Sequence, residues 1–139
     1  MKIQLERKDQ RFLFEGKGPN AFPVMIDSKG EEDAQGASPM ELLLMAVGGC
    51  NAIDIVSILK KQRQLITSYL VEVEGEREQV KQAKPFKHIH VNIRLSGDID
   101  PEKAKRAASL SFEKYCSVSM SMKGSVDISY SVFVNGSEV

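Results

Sequence analysis

The sequence contains little cysteine. Cys50 and Cys116 are the only two in 139 residues. A permanent disulfide is rare in a reducing compartment, so two thiols there are core residues, metal ligands or redox-active groups. Two cysteines alone cannot supply the four ligands of a usual structural zinc site, and no histidine or further cysteine lies near either one in the sequence. We therefore expect neither a bound metal nor a cofactor.

The sequence also has no excess of either charge. Lys and Arg total 19, Asp and Glu total 19, and the formal net charge is zero. Nucleic-acid-binding domains usually have a basic excess or stripe, so we expect no nucleic-acid partner. Hydrophobic residues make up 42% of the chain and charged residues 27%. This length and composition predict one domain covering residues 1–139.

A signal peptide and a membrane span are also not evident. The first residues, 1–7, contain no apolar core of the kind a signal peptide needs. The most apolar stretch, 42–59, is interrupted by small or polar residues, which we interpret as too polar for a membrane span. The interrupting residues are Gly48, Gly49, Asn51, Asp54 and Ser57. We expect a cytoplasmic protein with no membrane partner.

The pattern of apolar residues and turns predicts an α+β fold. Short strands are expected in residues 2–27, and longer ones around 69–77, 89–95 and 126–134. A second helix should start at Asp100-Pro101 and run to about Tyr115. Ser117 should cap a short helical turn, 118–122.

A long helix is predicted between the first strands and the later ones. Ser38 suits its N-cap, Pro39 its first position, and Glu41 completes an S-x-x-E capping box. The helix should end near Lys61. It is apolar on nearly all sides, and at about 1.5 Å per residue it would be about 36 Å long. One small domain can hardly enclose such a rod, so we expect a second subunit to cover part of it.

Cys50 lies in the middle of this helix and has two interpretations. It is either a buried structural thiol, which packs like a small hydrophobic residue, or a nucleophile. With Asp54 and Ser57 it forms a narrow polar strip. A reactive cysteine must be a thiolate, and Asp54 one turn away would raise its pKa. A cation is then required, and the candidates are Arg7 and Arg11.

Three further features also have two interpretations each. Cys116, taken alone, is either structural or catalytic. Glu41 is explained by the capping box, but it could also serve catalysis. His88 and His90 have the H-x-H spacing of a metal-binding pair, yet the same spacing fits one solvated face of a strand.

Two segments resemble the signatures of the OsmC/Ohr family, the osmotically inducible and organic hydroperoxide resistance proteins. The first is SPMELLLMAVGGC, residues 38–50, and the second is EKYCSVS, residues 113–119. Both end on or contain the expected cysteine, and the order of elements matches along almost the whole chain. The segments 38–46 and 52–59 look most like a less characterised branch of the family.

The resemblance implies an intertwined α+β homodimer with long central helices at its interface, antiparallel strands and active sites built from both chains. It also implies a two-cysteine thiol peroxidase that reduces organic hydroperoxides in oxidative stress. Cys50 would be the peroxidatic thiol and Cys116 the resolving thiol. The partners would be a small hydroperoxide and an external dithiol reductant such as a lipoyl protein.

The resemblance also leaves an alternative. Characterised peroxidases of the family carry a glutamate where this chain has Met40, and Glu41 comes one residue later, a rotation of about 100° on a helix. The family's activating arginine corresponds only loosely to Arg7 or Arg11. The alternative is therefore a redox-sensing or small-ligand-binding protein of the same fold without turnover. A purely structural domain with two inert cysteines is the third hypothesis.

Overall fold

The computed structural model describes residues 1–28, 30 and 32–139. The chain divides into two compact units, Met1–Leu43 and Leu44–Val139. The elements along it are mixed α and β, as the sequence predicts. Residues 29 and 31, within the predicted polar loop 28–37, lie outside the described part.

The first unit contains a three-stranded antiparallel sheet in the order β1-β2-β3. Its strands are β1 (Gln4–Arg7), β2 (Phe14–Lys17) and β3 (Val24–Ile26). The guanidinium of Arg7 holds the turn after β1, because its Nε donates to the carbonyl of Arg11 at 3.0 Å. The three strands expected in residues 2–27 are confirmed.

The long helix α1 extends over Pro39–Lys61, as predicted. The capping box at its start is complete. The backbone N–H of Ser38 donates to Glu41 Oε2 at 2.7 Å, and the N–H of Glu41 donates to Ser38 Oγ at 3.3 Å. The box satisfies two of the backbone groups that a helix start leaves without partners.

The second unit contains a four-stranded sheet in the order β4-β5-β6-β7. Its strands are β4 (Leu65–Arg77), β5 (Phe86–Asp98), β6 (Asp127–Val134) and β7 (Ser137–Glu138). Strands β4 and β5 form the long antiparallel hairpin. Strand β6 pairs with β5 in parallel, so the expectation of antiparallel strands is wrong for this pair. The helical segment 99–126 is long enough to return the chain to the same end of the sheet, as a parallel crossover requires.

That crossover contains α2 (Pro101–Leu110), a π-helical turn (Ser111–Tyr115) and α3 (Ser117–Met122). The start of α2 is as predicted, since Asp100 Oδ1 accepts from the N–H of Glu102 at 2.9 Å. The expected last turn of this helix is instead the π-helical turn. The N-cap of α3 is Cys116 and not Ser117, because the Cys116 sulfur accepts the free N–H of the first turn.

The core of the second unit lies between the sheet and one face of the helices. Alternate residues of β5 are buried, as their spacing predicts, together with residues of α1 and three alanines of α2. These residues are Ile89, Val91, Ile93, Leu95, Val47, Ile55, Leu59, Ala104, Ala107 and Ala108.

The opposite face of α1 in this unit is apolar and exposed. Met45 is 60% exposed and Ile53 73% exposed. By length and composition α1 is apolar enough to cross a membrane, and 28% of its most apolar stretch is buried in the single chain. The expectation that this stretch is too polar for a span is therefore wrong on composition. Core helices of soluble proteins have the same composition, so the finding alone is weak evidence for a membrane.

Candidate redox site at Cys50 and Cys116

The two adjacent glycines of α1 have different surroundings. A Cβ atom on Gly48 would lie 2.7 Å from Val73 Cγ2 and 3.4 Å from Val71 Cγ1, both on β4. A Cβ atom on Gly49 would meet no described atom within 4 Å. Gly48 therefore allows α1 to approach β4 closely, which offsets its cost in helix stability. Cys50 and Asn51 follow Gly48 within one turn of α1, so this approach helps to position them.

The structure brings the two cysteines together. The sulfur atoms of Cys50 and Cys116 and a carboxylate oxygen of Asp54 all lie within 4.8 Å of one another. Both thiols are free. Cys50 is partly exposed, whereas Cys116 is fully buried. A reagent from solvent therefore reaches Cys50 first.

Cys116 occupies the junction between the π-helical turn and α3. Its N–H donates to the carbonyl of Ser111 at 2.8 Å, and its backbone then turns extended at φ −70° and ψ 103°. The sulfur accepts hydrogen bonds from the backbone N–H of Ser119 at 3.3 Å and from Ser119 Oγ at 3.2 Å. Two donors aimed at one sulfur stabilise negative charge on that sulfur.

A buried polar network centred on Asn51 holds these elements in place. Asn51 is 1% exposed. Its Nδ2 donates to the carbonyl of Val47 at 2.8 Å and to Ser119 Oγ at 3.3 Å. Ser111 Oγ lies 2.8 Å from Asn51 Oδ1 and 3.1 Å from Asp54 Oδ2, so its single proton serves one of two acceptors at a time. The network connects α1 with the π-helical turn and with α3.

The surroundings of Cys50 favour its neutral thiol. Burial is the largest cause of its raised pKa, and the neighbouring Cys116 and the carboxylate of Asp54 raise the pKa further. The backbone N–H of Val118, at the start of α3, opposes this by donating to the sulfur. The effect of Asp54 has the direction predicted from the sequence.

A cavity of about 530 Å³ opens beside Asp54. Its lining contains both polar and apolar side chains: Asp54, Ser57, Ile58, Lys61, Gln62, Leu110 and Tyr115. Asp54 and Ser57, two members of the polar strip predicted on α1, therefore both face this cavity. A larger cavity of about 680 Å³ lies near α3 and β6, and Ser119, which donates to the Cys116 sulfur, is one of its lining residues.

The other predicted site residues lie in the first unit and have partners there. Arg7 binds carbonyl groups of its own turn, those of Gln10 and Arg11. Arg11 forms an ion pair with Asp33 at 2.6 Å. The carboxylate of Glu41 accepts the N–H of Ser38 in the capping box. A catalytic role for any of these three residues stays a prediction.

His88 and His90 bind serine hydroxyls of β6. His90 Nδ1 lies 2.8 Å from Ser129 Oγ, and its Nε2 lies 3.3 Å from Ser131 Oγ. His88 Nε2 lies 3.2 Å from Ser129 Oγ, and its Nδ1 lies 3.3 Å from a carboxylate oxygen of Asp127. This hydrogen-bonded sheet face agrees with the interpretation of the pair as one face of a strand.

Sequence reasoning did not identify Asn51, Ser111 and Ser119 as part of the site. Asn51 directly follows Cys50, and Ser119 lies three residues after Cys116, the spacing of an N-cap and its partner. Ser111 had no such signal. Its N–H donates to the carbonyls of Ala107 and Ala108, so it continues the buried face of α2, and nothing in the sequence marks it as a partner of Asn51.

Comparison with known proteins agrees with the two cysteine motifs. The sequence model of the family described as "OsmC-like protein" matches residues 30–131. Protein YhfA of Escherichia coli K12 is 38% identical over 119 residues, which cover 85% of this chain and 87% of YhfA.

Solved structures have the same fold. A hypothetical protein of Aquifex aeolicus VF5 is 30% identical, with a TM-score of 0.81 over 96% of each chain. An organic hydroperoxide resistance protein OsmC of Legionella pneumophila is 15% identical, with a TM-score of 0.71 over 96% of this chain and 98% of its own. The second likeness concerns the fold alone. The predicted family and α+β fold class are confirmed, and the chain belongs to the OsmC-like protein family.

Proposed function

We propose that the protein is a thiol-dependent peroxidase that reduces organic hydroperoxides, with Cys50 as the peroxidatic thiol and Cys116 as the resolving thiol. The observation that carries this proposal is the proximity of the two sulfur atoms, which lie within 4.8 Å of one another. Family membership supports it, since a protein of this fold from Legionella pneumophila is described as an organic hydroperoxide resistance protein.

In the first step the Cys50 thiolate attacks an oxygen of the hydroperoxide. An S–O bond forms, the O–O bond breaks, and the leaving alkoxide takes a proton to become the alcohol. The sulfur loses two electrons and becomes a sulfenic acid. Cys50 is assigned this step because it is partly exposed, while the buried Cys116 is not accessible from solvent. The cavity beside Asp54, with Ile58 and Leu110 in its lining, would take the apolar part of the substrate.

In the second step the Cys116 thiolate attacks the oxidised sulfur of Cys50. The S–S bond forms, and the hydroxyl group leaves as water after taking a proton. A disulfide has an S–S length of about 2.05 Å, so the sulfurs must approach by a few ångströms at most. The two hydrogen bonds from Ser119 support charge on the attacking sulfur before the bond forms.

In the last step an external dithiol restores both thiols. One of its thiolates attacks the disulfide to give a mixed disulfide, and its second thiol closes on the first. The reductant leaves as a cyclic disulfide, and two protons return to the protein. A lipoyl group, with two thiols on one chain, is a dithiol of this kind. A reducing cytoplasm, where such dithiols stay reduced, is the compartment we propose.

We also propose that the protein is a homodimer in which the exposed face of α1 contacts a second copy. Met45 and Ile53 on this face are more than half exposed in the single chain. Exposed apolar residues in one row on a helix are typical of an interface. Gly49 lies in the same row, with open space where its Cβ would be, so a second backbone could approach closely there.

The test is a thiol count on the reduced full chain after reaction with cumene hydroperoxide in the presence of a metal chelator. We expect the wild type to lose both thiols while consuming one peroxide per chain. Cys116→Ser should lose one thiol and yield a sulfenic acid that a dimedone probe traps, and Cys50→Ser should lose none. Survival of both wild-type thiols in excess peroxide would refute the proposal.

A second candidate is a redox sensor of the same fold without turnover. The observation that favours it is Asp54, whose carboxylate lies close to both sulfurs and opposes the formation of a thiolate. Recycling distinguishes the two candidates. A peroxidase is reduced again by dihydrolipoamide and consumes many equivalents of peroxide, whereas a sensor stops after one equivalent.

A further inference from the structure

The cluster of Cys50, Asp54 and Cys116 has the donor set of a metal site. Two sulfurs and one carboxylate oxygen lie within 4.8 Å of one another, with each residue offering one ligand atom. All three residues belong to the second unit, on α1 and at the start of α3. Sequence reasoning counted only cysteine and histidine as ligands, and therefore missed the carboxylate.

The distances between the ligand atoms fit a tetrahedrally coordinated ion after small side-chain movements. Zinc binds sulfur at about 2.3 Å and carboxylate oxygen at about 2.0–2.2 Å. Two sulfurs on one tetrahedral zinc ion are then about 3.8 Å apart, and a sulfur and an oxygen about 3.6 Å apart. The ligand atoms are at most 4.8 Å apart, so each pair would have to move closer by about 1 Å at most to bind zinc.

Hydrogen bonds around the cluster would orient the ligands. The N–H and Oγ of Ser119 both donate to the Cys116 sulfur. Ser111 Oγ can donate to Asp54 Oδ2 at 3.1 Å. Such outer contacts fix the orientation of metal ligands and tune their basicity, and their loss typically weakens metal binding by about 10–100-fold.

We propose that the reduced protein binds one Zn²⁺ ion per chain through Cys50, Cys116 and Asp54. Thiolate ligands select thiophilic ions, and a carboxylate as the third ligand favours Zn²⁺ over Cu(I). Three protein ligands leave the fourth coordination position of the zinc ion for water or a small molecule. The partial exposure of Cys50 and the cavity lined by Asp54 provide the path of entry.

This inference goes beyond the proposed peroxidase function and does not need turnover. It needs both thiols reduced. A disulfide between Cys50 and Cys116 removes both thiolates, so oxidation by a hydroperoxide would release the ion. The two activities are measured separately, because the peroxide reaction is followed with a chelator present and zinc binding is followed with no peroxide.

The experiment titrates Zn²⁺ into the reduced, metal-free full chain in competition with a chromophoric chelator. Co²⁺ in place of zinc reports thiolate coordination by its charge-transfer absorption. We expect one ion per chain and a thiolate–cobalt band. Asp54→Asn should weaken zinc binding at least tenfold, whereas Asp98→Asn, the matched loss of an exposed carboxylate, should leave it unchanged. The disulfide form should bind no zinc.

Several outcomes would overturn the inference. Zinc binding that persists in the double variant Cys50→Ser/Cys116→Ser would overturn it, as would an unchanged zinc affinity in Asp54→Asn. A stoichiometry of half an ion per chain would place the metal between two chains and would overturn it too. Circular dichroism of each variant shows whether it is folded. For a misfolded serine variant, alkylation of the wild-type thiols gives the same answer, since bound zinc should protect Cys50 from iodoacetamide.

Discussion

Replacing Asn51 by alanine should test whether the buried polar network holds the site together. Asn51 is 1% exposed and makes one hydrogen bond within α1, one to Ser119 and one to Ser111. The last two connect α1 to α3 and to the π-helical turn. Alanine removes all three hydrogen bonds and leaves a small cavity.

The expected loss of stability follows from these contacts. Each of the two connecting hydrogen bonds contributes about 1 kcal/mol net, and the cavity costs about 1 kcal/mol more. Alanine regains up to about 0.7 kcal/mol through its higher helix propensity. The free energy of unfolding should therefore fall by about 2–3 kcal/mol. For a chain of this length that lowers the melting temperature by about 6–12 °C.

Urea unfolding of the reduced protein at one fixed protein concentration measures this loss. The midpoint should fall while the slope of the transition stays the same. Ser119→Ala, which removes one hydroxyl of the network, should cost about 1 kcal/mol. Asn92→Ala on the polar face of β5 should change stability by less than about 0.5 kcal/mol. A loss below about 0.5 kcal/mol for Asn51→Ala would refute the stabilising role of the network.

The regular elements followed from the sequence because each has a local signal. Alternation predicted β5, and the capping residues predicted the starts of α1 and α2. The parallel pairing of β6 was not predicted, because strand direction depends on how the chain returns and not on any local pattern. The π-helical turn likewise has no periodic signature.

The site was predictable only in part, for a related reason. Cys50 and Cys116 were found through two motifs, and their proximity followed from the family resemblance. The contacts of Asn51 with Ser111 and Ser119 join three separate elements, and nothing in their spacing along the chain reveals them. Asp54 was recognised as an obstacle to thiolate formation, yet its position within 4.8 Å of both sulfurs required coordinates.

Three further predictions concern other parts of the chain. Gly48→Ala should destabilise the protein by about 1–3 kcal/mol in urea unfolding, because its Cβ would meet side chains of β4. If Arg7 or Arg11 supplies the cation for Cys50, its replacement by glutamine should slow the peroxide-dependent loss of thiols by about tenfold or more. Ile53→Glu should convert the dimer to monomers in analytical ultracentrifugation.

The first two have direct controls. A Gly48→Ala variant as stable as the wild type would contradict the close approach of α1 to β4. For the arginines, Arg106→Gln on the exposed side of α2 is the matched loss of a guanidinium and should leave the rate unchanged. If neither Arg7→Gln nor Arg11→Gln slows the reaction, the thiolate is stabilised by other groups, such as the N–H of Val118.

The prediction for Ile53 decides what covers the exposed face of α1. Ile53 is 73% exposed in the single chain, so burial in an interface would contribute about 1.5–3 kcal/mol per side chain. A two-fold interface contains every residue twice, so the loss is at least about 3 kcal/mol and the dissociation constant rises more than about hundredfold. Leu70→Glu, at a residue 55% exposed on β4, should leave the dimer intact. A wild type that sediments as a monomer at micromolar concentration, or an Ile53→Glu dimer of unchanged affinity, would contradict the homodimer, and flotation of the wild type with lipid vesicles would assign this face to a membrane instead.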